Sequence, residues 1–181
     1  MPPVQSTALV RRALPAATAE QTALFERWIE GTADSLYRLA ARVLGDLDGA
    51  DDVLQDAYLR AFGALRRGEF TGASEVRTWL YRIVINVALN ARRSQQRRAA
   101  NVPPAVHEPE SSDRMAARLQ LRELAQWLRD LPDDQRAVLV LKELEGLSAR
   151  EVAAVLECTE SAVEQRLVRA RAALRKRSSD E

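Results

Sequence analysis

The chain has 181 residues, which is enough for one ordinary domain or two small ones. Its 27 basic and 26 acidic side chains give a formal net charge of +1, so overall charge does not identify a nucleic-acid partner. Cys158 and His107 are the single cysteine and histidine, which excludes an intramolecular disulfide and argues against a metal site or a catalytic triad. No apolar run is long enough for a membrane span and no signal-peptide pattern opens the chain. We therefore expect a cytoplasmic protein without membrane insertion, metal or cofactor.

The first third of the chain predicts helices separated by glycines. Residues 1–19 are rich in Ala and Pro and are predicted to form a disordered tail. Thr18 and Gln21 match a capping box that starts a first helix, and Gly31 is predicted to break it. A second helix then runs to a stop at Gly45.

Acidic residues begin the third predicted helix. Asp48 is predicted to cap it, and Asp51 and Asp52 lie in its first turn, where the helix dipole favours negative charge. The helix ends at Gly68. A fourth helix, which ends in an arginine cluster, completes a predicted four-helix unit over residues 20–98.

The fourth helix has two predicted faces. Helical spacing assigns a core stripe to Val76, Leu80, Ile83, Val87 and Ala91. The opposite face carries Trp79, Arg82, Asn86, Asn90, Arg93 and Arg97. An aromatic ring, two amides and three guanidiniums along one line suit a nucleic-acid backbone and an unstacked base.

A second helical unit follows a linker. Residues 99–113 contain three prolines and three acids with no Lys or Arg, and they predict an acidic, flexible linker. Residues 114–177 return to helical periodicity. Ser148 and Glu151 match a capping box for a short helix, which is followed by a turn at residues 157–159. A longer basic helix comes next and is predicted to bury an apolar stripe of Val163, Leu167, Ala170 and Leu174. This order is typical of a helix-turn-helix. Nearly every segment is helical in period and none alternates as a strand would, so the predicted fold class is all-α.

Several motifs together resemble the extracytoplasmic-function (ECF) sigma factors of bacteria, which form group IV of the sigma-70 family. Their order and spacing fit that family over roughly residues 20–177. The motifs that carry the resemblance are residues 36–46, 48–56, 77–86, 131–136, 145–153 and 166–171.

The resemblance implies a promoter-specificity subunit of RNA polymerase. Residues 20–98 would form sigma domain 2, residues 114–177 the helix-turn-helix sigma domain 4, and residues 178–181 a short tail. The implied partners are core RNA polymerase (the clamp helices of its largest subunit and the flap of its second-largest subunit), promoter DNA, and an anti-sigma factor. The chain would recognise the −35 and −10 elements and melt promoter DNA without catalysing a reaction.

The resemblance also implies site residues. Core polymerase would bind Asp48, Asp51, Asp52, Val53, Gln55, Asp56 and Leu59. The −10 element would contact Phe70, Ser74, Trp79, Tyr81, Arg82, Asn86, Asn90, Arg93 and Arg97, with Arg92 and Arg98 as further phosphate contacts. The −35 element would contact Ser161, Glu164, Gln165, Arg166, Val168, Arg169 and Arg171.

Plainer roles remain open for several of these residues. Trp79 and Tyr81 are equally typical of core packing, and Asn86 of a helix-surface amide. The arginines also fit a solvated helix end that offsets the dipole. Glu164 departs from the basic residue common in relatives at that position. An acid near phosphate is unfavourable unless it accepts from a cytosine amine, so the −35 preference is open.

Two residues before the last helix carry separate expectations. Glu157 stands where a turn glycine is frequent, which predicts a strained turn. Cys158 is predicted to be a small core side chain rather than a redox sensor.

Two other functional classes fit less well. A conventional helix-turn-helix regulator would bind duplex DNA as a dimer, but it would not need the Trp79, Asn86 and arginine face. An enzyme is disfavoured because Asp51 and Asp52 point about 100° apart on a helix and no phosphate-binding glycine loop is present.

Overall fold

The computed structural model describes residues 18–47, 49–99, 128 and 130–180, and all regular structure within them is helical. A first unit contains α1 (Ala19–Leu44), α2 (Ala50–Arg66) and α3 (Val76–Ala99). A second unit contains α4 (Asp133–Leu139), which continues as a π-helical segment (Val140–Leu144), then α5 (Ala149–Leu156) and α6 (Glu160–Asp180). The prediction of an all-α fold with two helical units is confirmed. The predicted tail before residue 18, the linker beyond residue 99 and the capping role of Asp48 lie outside the described residues.

The predicted helix break at Gly31 is wrong, because α1 runs through it without interruption. Phe25 and Ile29 before the glycine and Leu36 and Ala40 after it are all buried, so one apolar stripe continues in helical register. A glycine inside a helix costs only about 0.5–1 kcal/mol relative to alanine, which the burial of this stripe outweighs. The first unit therefore has three helices where the sequence suggested four.

The predicted ends of α1 are confirmed. Thr18 Oγ1 accepts from the Gln21 backbone N–H at 3.2 Å, and Gln21 Oε1 accepts from the Thr18 N–H at 3.3 Å. At the other end Gly45 adopts a left-handed conformation with φ 75°, and its N–H donates to the Ala41 carbonyl. Both devices satisfy backbone groups that a helix end leaves unpaired.

The buried side of α3 is broader than the predicted stripe. Leu80 and Val87 of that stripe are buried, whereas Val76, Ile83 and Ala91 are only half-buried. The remaining buried side chains of α3 are Tyr81, Val84, Ile85, Ala88 and Arg92. This wide arc arises because α3 packs against α1 and α2 and also against α5 of the second unit.

The second unit follows its sequence signals closely. Ser148 Oγ accepts from the Glu151 N–H at 3.2 Å, and Glu151 Oε2 accepts from the Ser148 N–H at 2.7 Å. The Ser148 hydroxyl also donates to Glu151 Oε2 at 2.6 Å, and this bond, together with the one from the Ser148 N–H, holds the pKa of Glu151 below its ordinary value. The predicted apolar stripe of α6 is confirmed, since Val163, Leu167 and Ala170 are buried and Leu174 is half-buried against the core.

The turn between α5 and α6 also matches expectation. Glu157 is the one described residue other than glycine with positive φ, at 51°, in the left-handed region that favours glycine. Cys158 is half-buried against the core, as a small packing side chain would be. The last helix extends to Asp180, through most of the predicted tail.

The two units share one continuous core. Arg136 of α4 is fully buried, and its Nη1 donates to the Val43 carbonyl of α1 at 3.1 Å while its Nη2 donates to the Leu131 carbonyl at 3.3 Å. The π-helical segment and α4 lie against α1, and α5 lies against α3. No local pattern in the sequence predicted this contact. None of the helices described here is long and apolar enough to cross a membrane.

Replacing Gly31 by Ala tests the continuity of α1. A Cβ at this position meets no atom within 4 Å, so we expect Gly31→Ala to raise the free energy of unfolding by about 0.5–1 kcal/mol. Urea denaturation followed by far-UV circular dichroism measures it. Gly68→Ala is the matched control, because φ is 72° there and alanine should destabilise by about 1 kcal/mol. A loss of stability in Gly31→Ala would contradict a continuous helix.

Candidate nucleic-acid interface

Most of the polar side chains that the sequence places in one line along α3 lie on its outward face. Asn86, Asn90, Arg93 and Arg97 are exposed, and Arg82 is half-buried. At 1.5 Å per residue, the line from Trp79 to Arg97 is about 27 Å long. The amides lie between guanidiniums, an arrangement that can pair a nucleic-acid backbone on both sides of a base-reading group.

An aromatic corner stands at the beginning of this face. The ring of Trp79 lies 4.9 Å from that of Phe70 and 6.1 Å from that of Trp28, and Trp28 and Phe70 are 5.0 Å apart. All three side chains are half-buried. Trp79 thus packs against the core and still keeps accessible surface. Ser74, in the loop before α3, is also half-buried.

Tyr81 lies inside the protein, contrary to its assignment to the DNA-contacting set. Its hydroxyl donates to Glu145 Oε2 at 2.9 Å and accepts from Arg77 Nη2 at 3.0 Å. Burial raises the pKa of Tyr81, which keeps the hydroxyl protonated as a donor. The ring is buried between the two units, so it cannot contact DNA in this arrangement.

Three carboxylates of the second unit reach the first unit; we call Asp133, Glu145 and Glu157 the interunit carboxylates. Asp133 Oδ1 accepts from Arg92 Nε at 3.0 Å, and Asp133 Oδ2 accepts from Arg93 Nε at 2.9 Å. Arg92 is only 6% exposed, so it is not the solvent-facing phosphate contact that the sequence suggested.

The other two interunit carboxylates bind different parts of the first unit. Glu157 Oε1 accepts from Arg82 Nη1 at 3.0 Å, and Arg82 Nη2 donates to the Ala154 carbonyl at 2.7 Å. Glu145 accepts from Arg42 Nη1 at 2.7 Å in addition to the Tyr81 hydroxyl. Sequence reasoning missed all of these contacts, since they join residues 40 to 103 positions apart.

The predicted polymerase-docking surface is the N-terminal half of α2. Asp51, Asp52 and Gln55 are exposed, and Leu59 is half-buried. Asp56 forms a two-bond ion pair with Arg60 at 2.9 and 2.8 Å. Val53 is buried in the core, so it supports this surface from beneath and does not face a partner.

The outward face of α6 is exposed, and one of its arginines, Arg171, forms an ion pair with Glu143 of the π-helical segment. Six residues of the predicted −35 set are exposed: Ser161, Glu164, Gln165, Val168, Arg169 and Arg171. Val168 is 59% exposed and is the one large apolar side chain that stands out from the described surface. Arg166 differs from the prediction, because it is half-buried and forms an ion pair with Asp134 of α4 at 3.3 Å.

An arginine- and amide-lined helix in one unit and a helix-turn-helix in the other define a nucleic-acid-binding protein. Two protein-family models match the sequence. The family model of sigma-70 region 2 matches residues 28–98, and the family model of sigma-70 region 4 matches residues 121–174. These matches cover most of the chain. The chain belongs to the sigma-70 family, as a member of its extracytoplasmic-function sigma factors, and it functions as an RNA polymerase sigma factor.

Individual relatives agree with this membership. The chain is 37% identical over 171 residues to the ECF RNA polymerase sigma factor SigC of Mycobacterium tuberculosis, which covers 92% of this chain and 89% of SigC. It is 36% identical over 155 residues to the RNA polymerase sigma-H factor of Pseudomonas aeruginosa, over 76% of this chain and 77% of that factor.

Two solved structures share the fold. CnrH, in complex with the cytosolic domain of CnrY, is similar with a TM-score of 0.68 and 30% identity, over 97% of this chain and 98% of CnrH. The sigma factor RpoE of Bartonella quintana, in complex with the anti-sigma factor NepR, gives a TM-score of 0.66 at 24% identity, over 84% of this chain and 94% of RpoE. The resemblance inferred from the motifs is confirmed.

The Tyr81 hydroxyl can be tested by removal. Tyr81→Phe removes one hydrogen-bond donor from the Glu145 carboxylate, and the Glu145 side chain is only 4% exposed. Because water cannot replace that donor, we expect the free energy of unfolding to fall by about 2 kcal/mol. Tyr58→Phe is the matched control. The Tyr58 hydroxyl is buried without an acceptor among the described residues, and its removal should be neutral or stabilising. Equal effects in urea denaturation would show that the bond to Glu145 is absent in solution.

Proposed function

We propose that α3 is the helix that reads and holds the −10 strand. The observation that carries this proposal is the exposure of Asn86 and Asn90 along the same line as the exposed Arg93 and Arg97. An amide donates and accepts, so Asn86 can pair with the edge of an unstacked base, and the guanidiniums bind the phosphates on either side. The loop from Phe70 to Ser74 pockets the base beside the Trp79 corner. Tyr81 acts in this proposal only by positioning α3.

In this proposal, residues 20–98 dock on core polymerase and open the DNA strands, and residues 114–177 bind the −35 duplex. On α2, the exposed Asp51, Asp52 and Gln55 face the clamp helices of core polymerase, with Asp56 and Leu59 at the edge of the contact. Val53 is left out of this contact set because it is buried.

On α6, the exposed face reads the −35 duplex. Val168 offers an apolar contact to a thymine methyl in the major groove, and Glu164 and Gln165 lie one turn earlier on the same face. Arg169 and Arg171 hold phosphates. Arg166 contributes by fixing α6 to α4 through Asp134.

The chain carries no catalytic step in this proposal. Strand opening is driven by binding free energy, and a base stacked on aromatic side chains regains about 1–3 kcal/mol of the unstacking cost. The chain acts in the cytoplasm with core polymerase. By analogy with the complexes of CnrH and RpoE, an anti-sigma protein holds it inactive.

Run-off transcription tests the −10 assignment. The assay combines the full chain, purified bacterial core polymerase and a DNA fragment from upstream of its own gene. Asn86→Ala should reduce the transcript about tenfold, the value of one base-reading amide, without loss of comigration with core polymerase. Gln96→Ala, an exposed amide off the DNA-facing line of α3, is the matched control and should retain full transcription. Full activity of Asn86→Ala, or a chain that neither comigrates nor transcribes, would refute the proposal.

Base analogues test whether Val168 contacts a thymine methyl in the −35 element. They are placed in the promoter that run-off transcription identifies. Replacing thymine by deoxyuridine at each −35 position removes one methyl, worth about 0.8 kcal/mol or about a fourfold change in holoenzyme affinity. Wild type should show this loss at one position, and Val168→Ala should not. Arg169→Ala is the control, because a lost phosphate contact weakens binding equally with either base. An unchanged methyl effect in Val168→Ala would contradict the assignment.

A further inference from the structure

We propose that Glu164 is a base-reading residue of α6 and selects a cytosine in the −35 element, by accepting a hydrogen bond from the N4 amine of that base. The inference deepens the proposed function and rests on it, because it takes the outward face of α6 as the surface that enters the major groove. It concerns the position at which this sequence carries an acid instead of a basic residue.

The Glu164 carboxylate is exposed and has no ion pair or hydrogen bond with any other residue that the structure describes. Acids of the preceding segments do pair with α6, since Asp134 binds Arg166 and Glu143 binds Arg171. Those two pairs tie α6 to the rest of the second unit. Glu164 contributes nothing to that attachment, and its oxygens are free to accept from a ligand.

The neighbours of Glu164 along α6 give its charge no favourable partner. A helical side chain meets the residues three and four positions away, which here are Glu160, Ser161, Leu167 and Val168. None of them is basic, and Glu160 carries the same charge. Glu164 also lies beyond the first turn of α6, where the stabilising effect of the helix dipole on an acid has faded. The stability of the helix therefore gives no reason for an acid at this position.

Most major-groove edges are unfavourable for a carboxylate. An ionised carboxylate accepts hydrogen bonds and donates none. In the major groove guanine presents the acceptors N7 and O6, thymine presents O4, and adenine presents N7 beside its N6 donor, whereas cytosine presents its N4 amine alone. Cytosine is thus the base whose edge offers Glu164 a donor without an adjacent acceptor.

The position of Val168 indicates where this cytosine lies. Val168 stands one turn further along the same exposed face, about 6 Å from Glu164 along the helix axis. Successive bases of one strand are about 3.4 Å apart along the duplex axis. We therefore expect the cytosine within about two base pairs of the thymine that Val168 contacts.

The selectivity arises largely from the bases that Glu164 rejects. Opposite guanine, adenine or thymine the carboxylate loses water and faces an acceptor, which is unfavourable. Removing the carboxylate should therefore weaken binding to the cytosine promoter and strengthen binding to promoters with another base at that pair. A residue that only supported the helix would change the affinity for all promoters in the same direction.

A promoter library tests the assignment with holoenzyme assembled from the full chain and bacterial core polymerase. Its templates keep the promoter that run-off transcription identifies, randomise the −35 element, and carry a transcribed barcode that reports each −35 sequence. Wild type should prefer cytosine about tenfold at one base pair. Glu164→Gln should prefer adenine there, since glutamine pairs with N6 and N7 of adenine, and Glu164→Ala should accept the four bases equally.

Glu160→Gln is the matched control, because it makes the same change in charge at an exposed acid one turn earlier on α6. It should keep the cytosine preference of wild type. The inference is overturned if both Glu164 variants keep that preference, or if Glu160→Gln abolishes it as well.

Holoenzyme affinity for two labelled promoters checks the direction of the effect by fluorescence anisotropy. The promoters differ only at the selected pair, with cytosine in one and thymine in the other. Glu164→Ala should bind the cytosine promoter about threefold more weakly than wild type and the thymine promoter about threefold more tightly, which together remove the tenfold preference. An equal loss on both promoters would assign Glu164 a structural role and refute base reading.

The library also separates failure of this inference from failure of the proposed function. If wild-type holoenzyme shows no base preference at any −35 pair, α6 does not read this element, and the proposed function of α6 fails together with the inference. If a −35 motif is selected but is identical in wild type and in both Glu164 variants, the inference alone fails.

Discussion

Two buried charges at the join between the units fix the geometry of the whole molecule. Arg136 and Glu145 both belong to the second unit, and both find partners on the first, at the Val43 carbonyl and at Arg42 with Tyr81. A buried charge without a partner is strongly destabilising, so the units must meet where these bonds form. That position brings Asp133 to Arg92 and Arg93 and Glu157 to Arg82, and hence determines which part of α3 is occupied.

The π-helical segment contributes to this geometry. It lies between Arg136 and Glu145 and ends where the Glu145 N–H donates to the Val140 carbonyl at 3.0 Å. An i to i+5 turn holds one more residue than an α-helical turn, which redirects the next side chain by about 100°. Such segments are frequent at functional sites, and this one directs the Glu145 carboxylate toward the first unit.

Local signals in the sequence predicted local structure, and they failed where tertiary contacts decide. The capping boxes at Thr18 and Ser148 and the apolar stripe of α6 needed only residues a few positions apart. The break at Gly31 was wrongly predicted because the buried stripe on both sides outweighs the intrinsic cost of one glycine. Tyr81 could not be assigned from periodicity, since its partner Glu145 is 64 positions away. The exposed amides of α3 were predicted because they lie opposite the buried arc.

The join between the units combines an apolar core with charged pairs. Buried apolar side chains of both units belong to one continuous cluster, and an apolar contact contributes free energy without fixing a direction. Buried ion pairs therefore hold the units in one register while adding little net free energy, and exposed pairs such as Arg82 with Glu157 add less still. All six basic residues between 69 and 98 are arginine, the side chain whose planar donors fit carboxylate and phosphate equally well. The arginines of α3 thus use one set of donors for the interunit carboxylates and, in the proposed function, for DNA phosphate.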